Sequence, residues 1–132
     1  MQTQKPALAV HVAGPPVASP GKNKKRRVET YRRNRGLFLV HTWQPSSTPG
    51  QVADIVISLR QHPGDDTPLT DGLVKNVEYH LGPRFGKRTI IKRDPATGFR
   101  LEVSAYGPML CIAAVNFVDG SVPVELERYI DF

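Results

Sequence analysis

The sequence holds one cysteine and one tryptophan, and no apolar run near the ~20 residues that a membrane-spanning helix requires. A lone thiol, Cys111, excludes an intramolecular disulfide and any zinc site built from several cysteines. It lies between Leu110 and Ile112, where a packed, inert thiol is expected rather than a nucleophile. The four histidines are scattered, and neither His41 nor His80 has a neighbour that would complete a nucleophilic pair. A phosphate-binding loop is also missing: Gly21-Lys22 lacks the upstream glycine spacing and is followed by Asn23. His62, Asp65 and Asp66 carry metal-binding atoms, but Pro63-Gly64-Asp65-Asp66 is ordinary turn chemistry. The expectation is therefore a non-enzymatic protein with no catalytic residues, no metal and no cofactor. The apolar patch Ala7 to Ala13 is interrupted by His11 and stopped by Gly14-Pro15-Pro16, too short for a secretory leader. With neither leader nor disulfides, the expected compartment is the cytoplasm, with no membrane partner.

What is present fits one domain: 132 residues, 39% hydrophobic and 23% charged. The net charge of +6 is unevenly spread. Residues 1–35 hold nine Lys/Arg against a single acid, Glu29, a balance of +8. Residues 36–132 hold nine against eleven acids, a balance of −2. Any affinity for polyanions is thus expected from residues 1–35 alone.

Residues 1–21, rich in Pro, Ala, Val and Gly, read as flexible lead-in. The basic run that follows has only Val28 and Tyr31 as large apolar groups, enough for a helical turn or two before Gly36. Residues 1–35 are accordingly expected to be a disordered basic arm that folding does not need. From Gly36 the pattern changes to short β-type segments separated by turns. Leu37 to Trp43 is a first strand. Asp54 to Arg60 alternates, with Ile55, Ile57 and Leu59 on one face. Leu73 to Leu81 does the same with Val77, Tyr79 and Leu81, leaving Asn76, Glu78 and His80 outward. Arg88 to Lys92 and Phe99 to Ser104 read as a hairpin across Asp94-Pro95-Ala96-Thr97-Gly98. Met109 to Val118 is apolar on both faces except for Asn116, which predicts a central strand buried on both sides. Asp119-Gly120 predicts a tight hairpin into Val122 to Ile130, with Val124, Leu126 and Ile130 inward. About seven antiparallel strands and no long helix make an all-β, immunoglobulin-like sandwich over residues 36–132.

Two segments say more. Leu73-Val74-Lys75-Asn76-Val77-Glu78-Tyr79-His80-Leu81-Gly82-Pro83-Arg84-Phe85 resembles the signature strand of YEATS domains and the loop it enters. Phe99-Arg100-Leu101-Glu102-Val103-Ser104-Ala105-Tyr106-Gly107-Pro108 resembles the family's second signature, a strand and aromatic turn leading into an apolar strand. Order and spacing both match. The short loops and the Asp119-Gly120 turn are more similar to the prokaryotic branch.

The resemblance implies a binding module whose two signature loops meet at one end of the sandwich. In the eukaryotic relatives an acylated lysine lies there between two aromatic rings, a flat amide stacking on aromatic faces. Position by position, those rings fall on Phe85 and Tyr106, with Arg84 and Gly107 beside them as candidate ligand-binding residues. This sequence departs from the family at Gly82, where the relatives carry histidine, and at Arg84, where they carry serine. Arginine at that mouth suits an anionic ligand. The plainer reading is that Phe85 and Tyr106 merely cap the core.

The implied function is recognition of a modified peptide, small ligand or partner protein within a prokaryotic signalling or defence system. The alternative is nucleic-acid binding through Lys22, Lys24, Lys25, Arg26, Arg27, Arg32, Arg33 and Arg35, with Tyr31 a lone stacking residue. A solvated linker accounts for the same charges equally well.

Overall fold

A computed structural model describes residues 20–82 and 89–132. The described chain runs α1 (Pro20–Arg33), β1 (Leu37–Pro45), β2 (Ala53–Gln61), β3 (Val74–His80), β4 (Thr89–Lys92), a 3-10 turn (Pro95–Thr97), β5 (Leu101–Ala105), β6 (Met109–Phe117) and β7 (Val124–Ile130). Every strand pair is antiparallel. One sheet has the order β1-β2-β5 and the other β4-β3-β6-β7, and the two stack as a sandwich.

The core is the alternation predicted from the sequence. Ile55, Ile57 and Leu59 from one sheet meet Val77, Tyr79, Val124, Leu126 and Ile130 from the other, all buried. Cys111 is buried among them, and desolvation pushes its thiol up to about 11, so it stays protonated and inert at neutral pH.

Several expectations change. β4 and β5 are not a hairpin: β4 pairs with β3 and β5 with β2, so residues 93–100 carry the chain from one sheet to the other. The turn chemistry itself is as expected, with Pro95 opening it, Asp94 capping Ala96 N–H at 3.0 Å and Gly98 left-handed at φ 71°. But Phe99 is also left-handed, at φ 57°, and fully buried, which redirects the chain instead of folding it back. The crossing is held on both sides. The Tyr79 hydroxyl donates to Phe99 O at 2.7 Å, and Leu59 N–H donates to Gly98 O at 2.8 Å. A side chain at Gly98 would place its Cβ 2.9 Å from Leu59 O, so the close approach requires glycine. Burial drives the Tyr79 hydroxyl well above the usual tyrosine value, which keeps it a donor.

Second, β6 is central, between β3 and β7, but buried on one face only. Cys111, Ala113, Val115 and Phe117 point into the core, while Leu110 is exposed and Ile112, Ala114 and Asn116 are half-buried. A two-layer sandwich has no third layer to cover that face. The connection to β7 is also longer than a tight turn, because β7 starts at Val124 and Val122 is exposed. On β3, Asn76 is not outward as its alternation predicts: next to a bulge between Val74 and Asn76 it is buried and accepts from Asn116 Nδ2 at 2.8 Å.

Third, residues 20–33 are a 14-residue helix, well beyond a turn or two. Lys and Arg are good helix formers, and Arg32 and Arg33 in the last turn complement the helix dipole. A Schellman motif ends it: Gly36 N–H donates to Tyr31 O at 2.8 Å and Arg35 N–H to Arg32 O at 3.2 Å, with Arg35 and Gly36 both at positive φ. This junction is docked on the sandwich. Tyr31 stacks on His62 at 4.2 Å, and Arg35 makes a bidentate pair with Asp66 at 2.9 and 3.0 Å while lying 4.5 Å over the Phe117 ring. Gln61 Nε2 donates to Arg35 O at 3.1 Å, and any Cβ at Gly36 would come within 2.5 Å of that same nitrogen.

Two outcomes are expected. Tyr79→Phe should lower unfolding free energy by ~1–3 kcal/mol in urea titrations, because a buried carbonyl loses its donor. An unchanged midpoint would mean the crossing is held by packing alone. Arg35→Ala should cost about 1–2 kcal/mol through loss of a partly exposed ion pair and a cation–π contact, whereas Arg33→Ala should stay within about 0.5 kcal/mol. Equal losses from the two would show that the junction is not docked in solution.

Candidate ligand-binding end

Strand register decides which loops are neighbours. Pro45 pairs with Ala53 and Ala53 with Ala105, so the β1–β2 loop (46–52) adjoins the turn at Tyr106. His80 pairs with both Ile112 and Thr89, so β3 ends, and β4 begins, beside the start of β6. Met109 pairs with Ile130, which brings the last residues, Asp131 and Phe132, to the same pole. The Tyr106 turn, the end of β3 and the start of β4 therefore share one end of the sandwich with the 46–52 loop and residues 131–132.

At this pole Tyr106 is 50% exposed and Gly107 half-buried, in the short turn between β5 and β6. Arg84 and Phe85 lie outside the described residues; their flanks, Leu81-Gly82 and Thr89, are at this end. The 46–52 loop is well tied. Ser46 N–H donates to Val52 O at 2.9 Å, Gln51 N–H to Thr48 O at 3.1 Å, and Val52 N–H to Ala105 O at 2.9 Å. That last bond joins the loop to the base of the Tyr106 turn. Within the loop, the Gln51 Oε1 is buried and meets no donor among the described residues. A buried amide oxygen without a donor is costly, and a ligand N–H would satisfy it.

Beside the pole, an open groove of about 410 Å³ runs across β1, β2 and β5, lined by Thr42, Gln44, Asp54, Val56, Glu102 and Ser104 among others. Asp54 accepts from Ser104 Oγ at 2.6 Å, and hydrogen bonds from Ser104 and then Ser46 hold its carboxyl below the usual range. The groove floor therefore keeps a negative charge. Sequence reasoning marked Asp54 only as an outward strand residue, since its alignment with Ser104 depends on the β2–β5 pairing.

The remaining candidates are placed elsewhere. His41 bridges the sheets: Arg128 Nε donates to its Nδ1 at 2.6 Å, leaving its Nε2 to donate to Asp131 O at 3.0 Å. Trp43 packs near Phe132, ring centroids 5.9 Å apart. His62 and Asp66 are taken up by Tyr31 and Arg35, and no group of three or more metal-ligating side chains occurs among the described residues. Lys22, Lys24, Lys25, Arg26, Arg27, Arg32 and Arg33 are all on α1, at the opposite pole, since β1 leaves α1 at Leu37 and reaches the loops at Pro45. Arg35 is apart from them, engaged with Asp66 and Phe117.

Residues 53–131 match the family model for the prokaryotic YEATS domain. The chain belongs to the prokaryotic YEATS family. Solved YEATS structures agree in fold. The Yaf9 YEATS domain recognising an H3K122suc peptide is 14% identical, with a TM-score of 0.59 over 73% of this chain and 70% of that one. The same domain bound to H3K27ac gives 0.53 over 73% and 72%, also at 14% identity. The yeast AF-9 homolog Yaf9 gives 0.55 over 73% and 69%, again at 14%. No curated protein sequence matches the chain. At such identity the structural likeness carries the sandwich fold and nothing about the ligand.

Tyr106 on this YEATS scaffold should be removable. With its side chain half outside the core, Tyr106→Ala is expected to change stability by less than about 1 kcal/mol. A loss of ~3–5 kcal/mol in a thermal or urea melt would place the ring in the core and take it out of the site.

Proposed function

We propose that this protein is a non-enzymatic reader that binds a lysine-acylated peptide through the loop end of its sandwich, with anionic acyl groups favoured. The observation that supports this most directly is the meeting of the 46–52 loop, the end of β3 and the half-exposed Tyr106 turn at one pole of a YEATS domain. Flat acyl-amides stack on aromatic faces, and Tyr106 offers one. Gln51 Oε1 is an acceptor for an amide N–H, and Arg84, known here by sequence, is a fitting partner for an acyl carboxylate. Relatives of this fold have been solved with succinylated and acetylated histone peptides, which supports a peptide ligand. The module then serves as a cytoplasmic sensor or adaptor in a prokaryotic signalling or defence system.

Calorimetry with one peptide sequence carrying lysine, acetyl-lysine or succinyl-lysine tests the reading. Succinyl-lysine should bind tightest and unmodified lysine weakest. Tyr106→Ala should weaken both acylated peptides at least about tenfold, the loss of roughly 1.4 kcal/mol expected for an aromatic stacking partner. Arg84→Ala should abolish the succinyl preference and spare acetyl binding. Equal binding of modified and unmodified peptide, or full affinity in Tyr106→Ala, overturns the proposal.

A further inference from the structure

At the pole away from the loops, α1 carries seven Lys/Arg against Glu29 within fourteen residues, a balance of +6 that equals the net charge of the whole chain. Residues 21–29 are exposed throughout, so the helix is not there to bury an apolar face. Its charges are nonetheless ordered. At about 100° per residue, Lys22, Lys25, Arg26, Arg32 and Arg33 fall in one stripe about 120° wide and about 16 Å long, with Glu29 the one acid among them. Tyr31 is on the opposite side of the helix, and it is the residue that stacks on His62. The body therefore touches the helix at its last turn, on the side away from the basic stripe. The Schellman motif, the Arg35–Asp66 pair and the Gln61 bond to Arg35 O make that hold rigid.

Such a helix repels itself: Lys22 and Arg26, four apart, and Lys24 and Arg27, three apart, are like-charge neighbours, and the single acid, Glu29, is the only offset, to Lys25, Arg26, Arg32 and Arg33. A polyanion relieves this repulsion and releases its own counterions in return. The stripe has the dimensions of a helix lying along a duplex groove, which is wide enough to admit one. A single strand is a poorer fit, because it needs aromatic platforms, and Tyr31 already has one ring face covered by His62. An anionic membrane is a poorer fit too. An interfacial helix needs an apolar face, and α1 has only Val28 besides the docked Tyr31. We propose that α1 is a duplex nucleic-acid-binding element, using Lys22, Lys25, Arg26, Arg32 and Arg33 on phosphates, and that it works independently of the loop end.

The full chain is titrated with a labelled 20-base-pair DNA duplex by fluorescence anisotropy across a salt series. If the five stripe charges neutralise phosphates, log K should fall against log salt with a slope of about −4 to −5. The variant Lys25→Gln/Arg26→Gln/Arg32→Gln/Arg33→Gln keeps helix propensity, which circular dichroism checks, and should flatten the slope by about 3 to 4. A body variant, Lys75→Gln/Lys92→Gln/Arg93→Gln/Arg100→Gln, should bind as the parent does. Parent-like duplex binding by the helix variant overturns the proposal. So does tighter binding of the parent to a single strand, to anionic lipid vesicles or to poly-glutamate than to the duplex.

Discussion

The passage of the chain between sheets at residues 93–100 is the constraint on which the rest depends. It is held by a buried phenol: the Tyr79 hydroxyl, on β3 of one sheet, grips the carbonyl of Phe99 as the chain arrives at the other. A hydroxyl so deeply buried is tolerable only with a partner, and here the partner is the backbone that must be steered. Because the chain crosses instead of turning back, β5 lies beside β2. That neighbour relation sets Ala105 against Ala53, bonds Val52 N–H to Ala105 O, and so seats the Tyr106 turn against the 46–52 loop. A β4–β5 hairpin would have put β5 on the outside of β4, away from both.

The two ends of the sandwich differ in chemistry as well as position. One gathers loops, a half-exposed tyrosine and a buried amide oxygen awaiting a donor, next to a groove whose Asp54 stays charged. The other displays a basic helix clamped by an ion pair, a ring stack and a cation over Phe117. The seven strands separate the two poles, so occupancy of one has no direct contact with the other. The proposed peptide site and the proposed polyanion-binding helix are separate surfaces, so a target carrying both ligands would be held with a gain from effective concentration.

Local signals were trustworthy where the physics is local. Ile55-Ile57-Leu59, Val77-Tyr79-Leu81 and Val124-Leu126-Ile130 are buried as their period of two predicts. Pro95 and Gly98 perform the turn roles their backbone preferences dictate. The same reasoning misjudged β6, whose apolar outer face suggested a covering layer that this two-layer fold lacks. It also made too little of residues 20–33, where helix-forming Lys and Arg are stabilised by what happens beyond the last turn, at Tyr31, Arg35 and Gly36.

Alone, the sequence determined the strand segments, their inward faces, the concentration of positive charge before Gly36, and the two signature segments that mark a YEATS domain. Each of these depends on residues within a few positions of one another, whose propensity, periodicity or charge acts without reference to the rest of the chain. Only the tertiary structure decided that β5 joins β2, that the helix stands on His62 and Asp66, and that Gln51, Asp54 and Ser104 collect near Tyr106. Those outcomes rest on bonds such as Tyr79 to Phe99 and Arg35 to Asp66, 20 and 31 residues apart. Their partners become neighbours only after the sheets have stacked, because burial of the core, not local preference, brings them together.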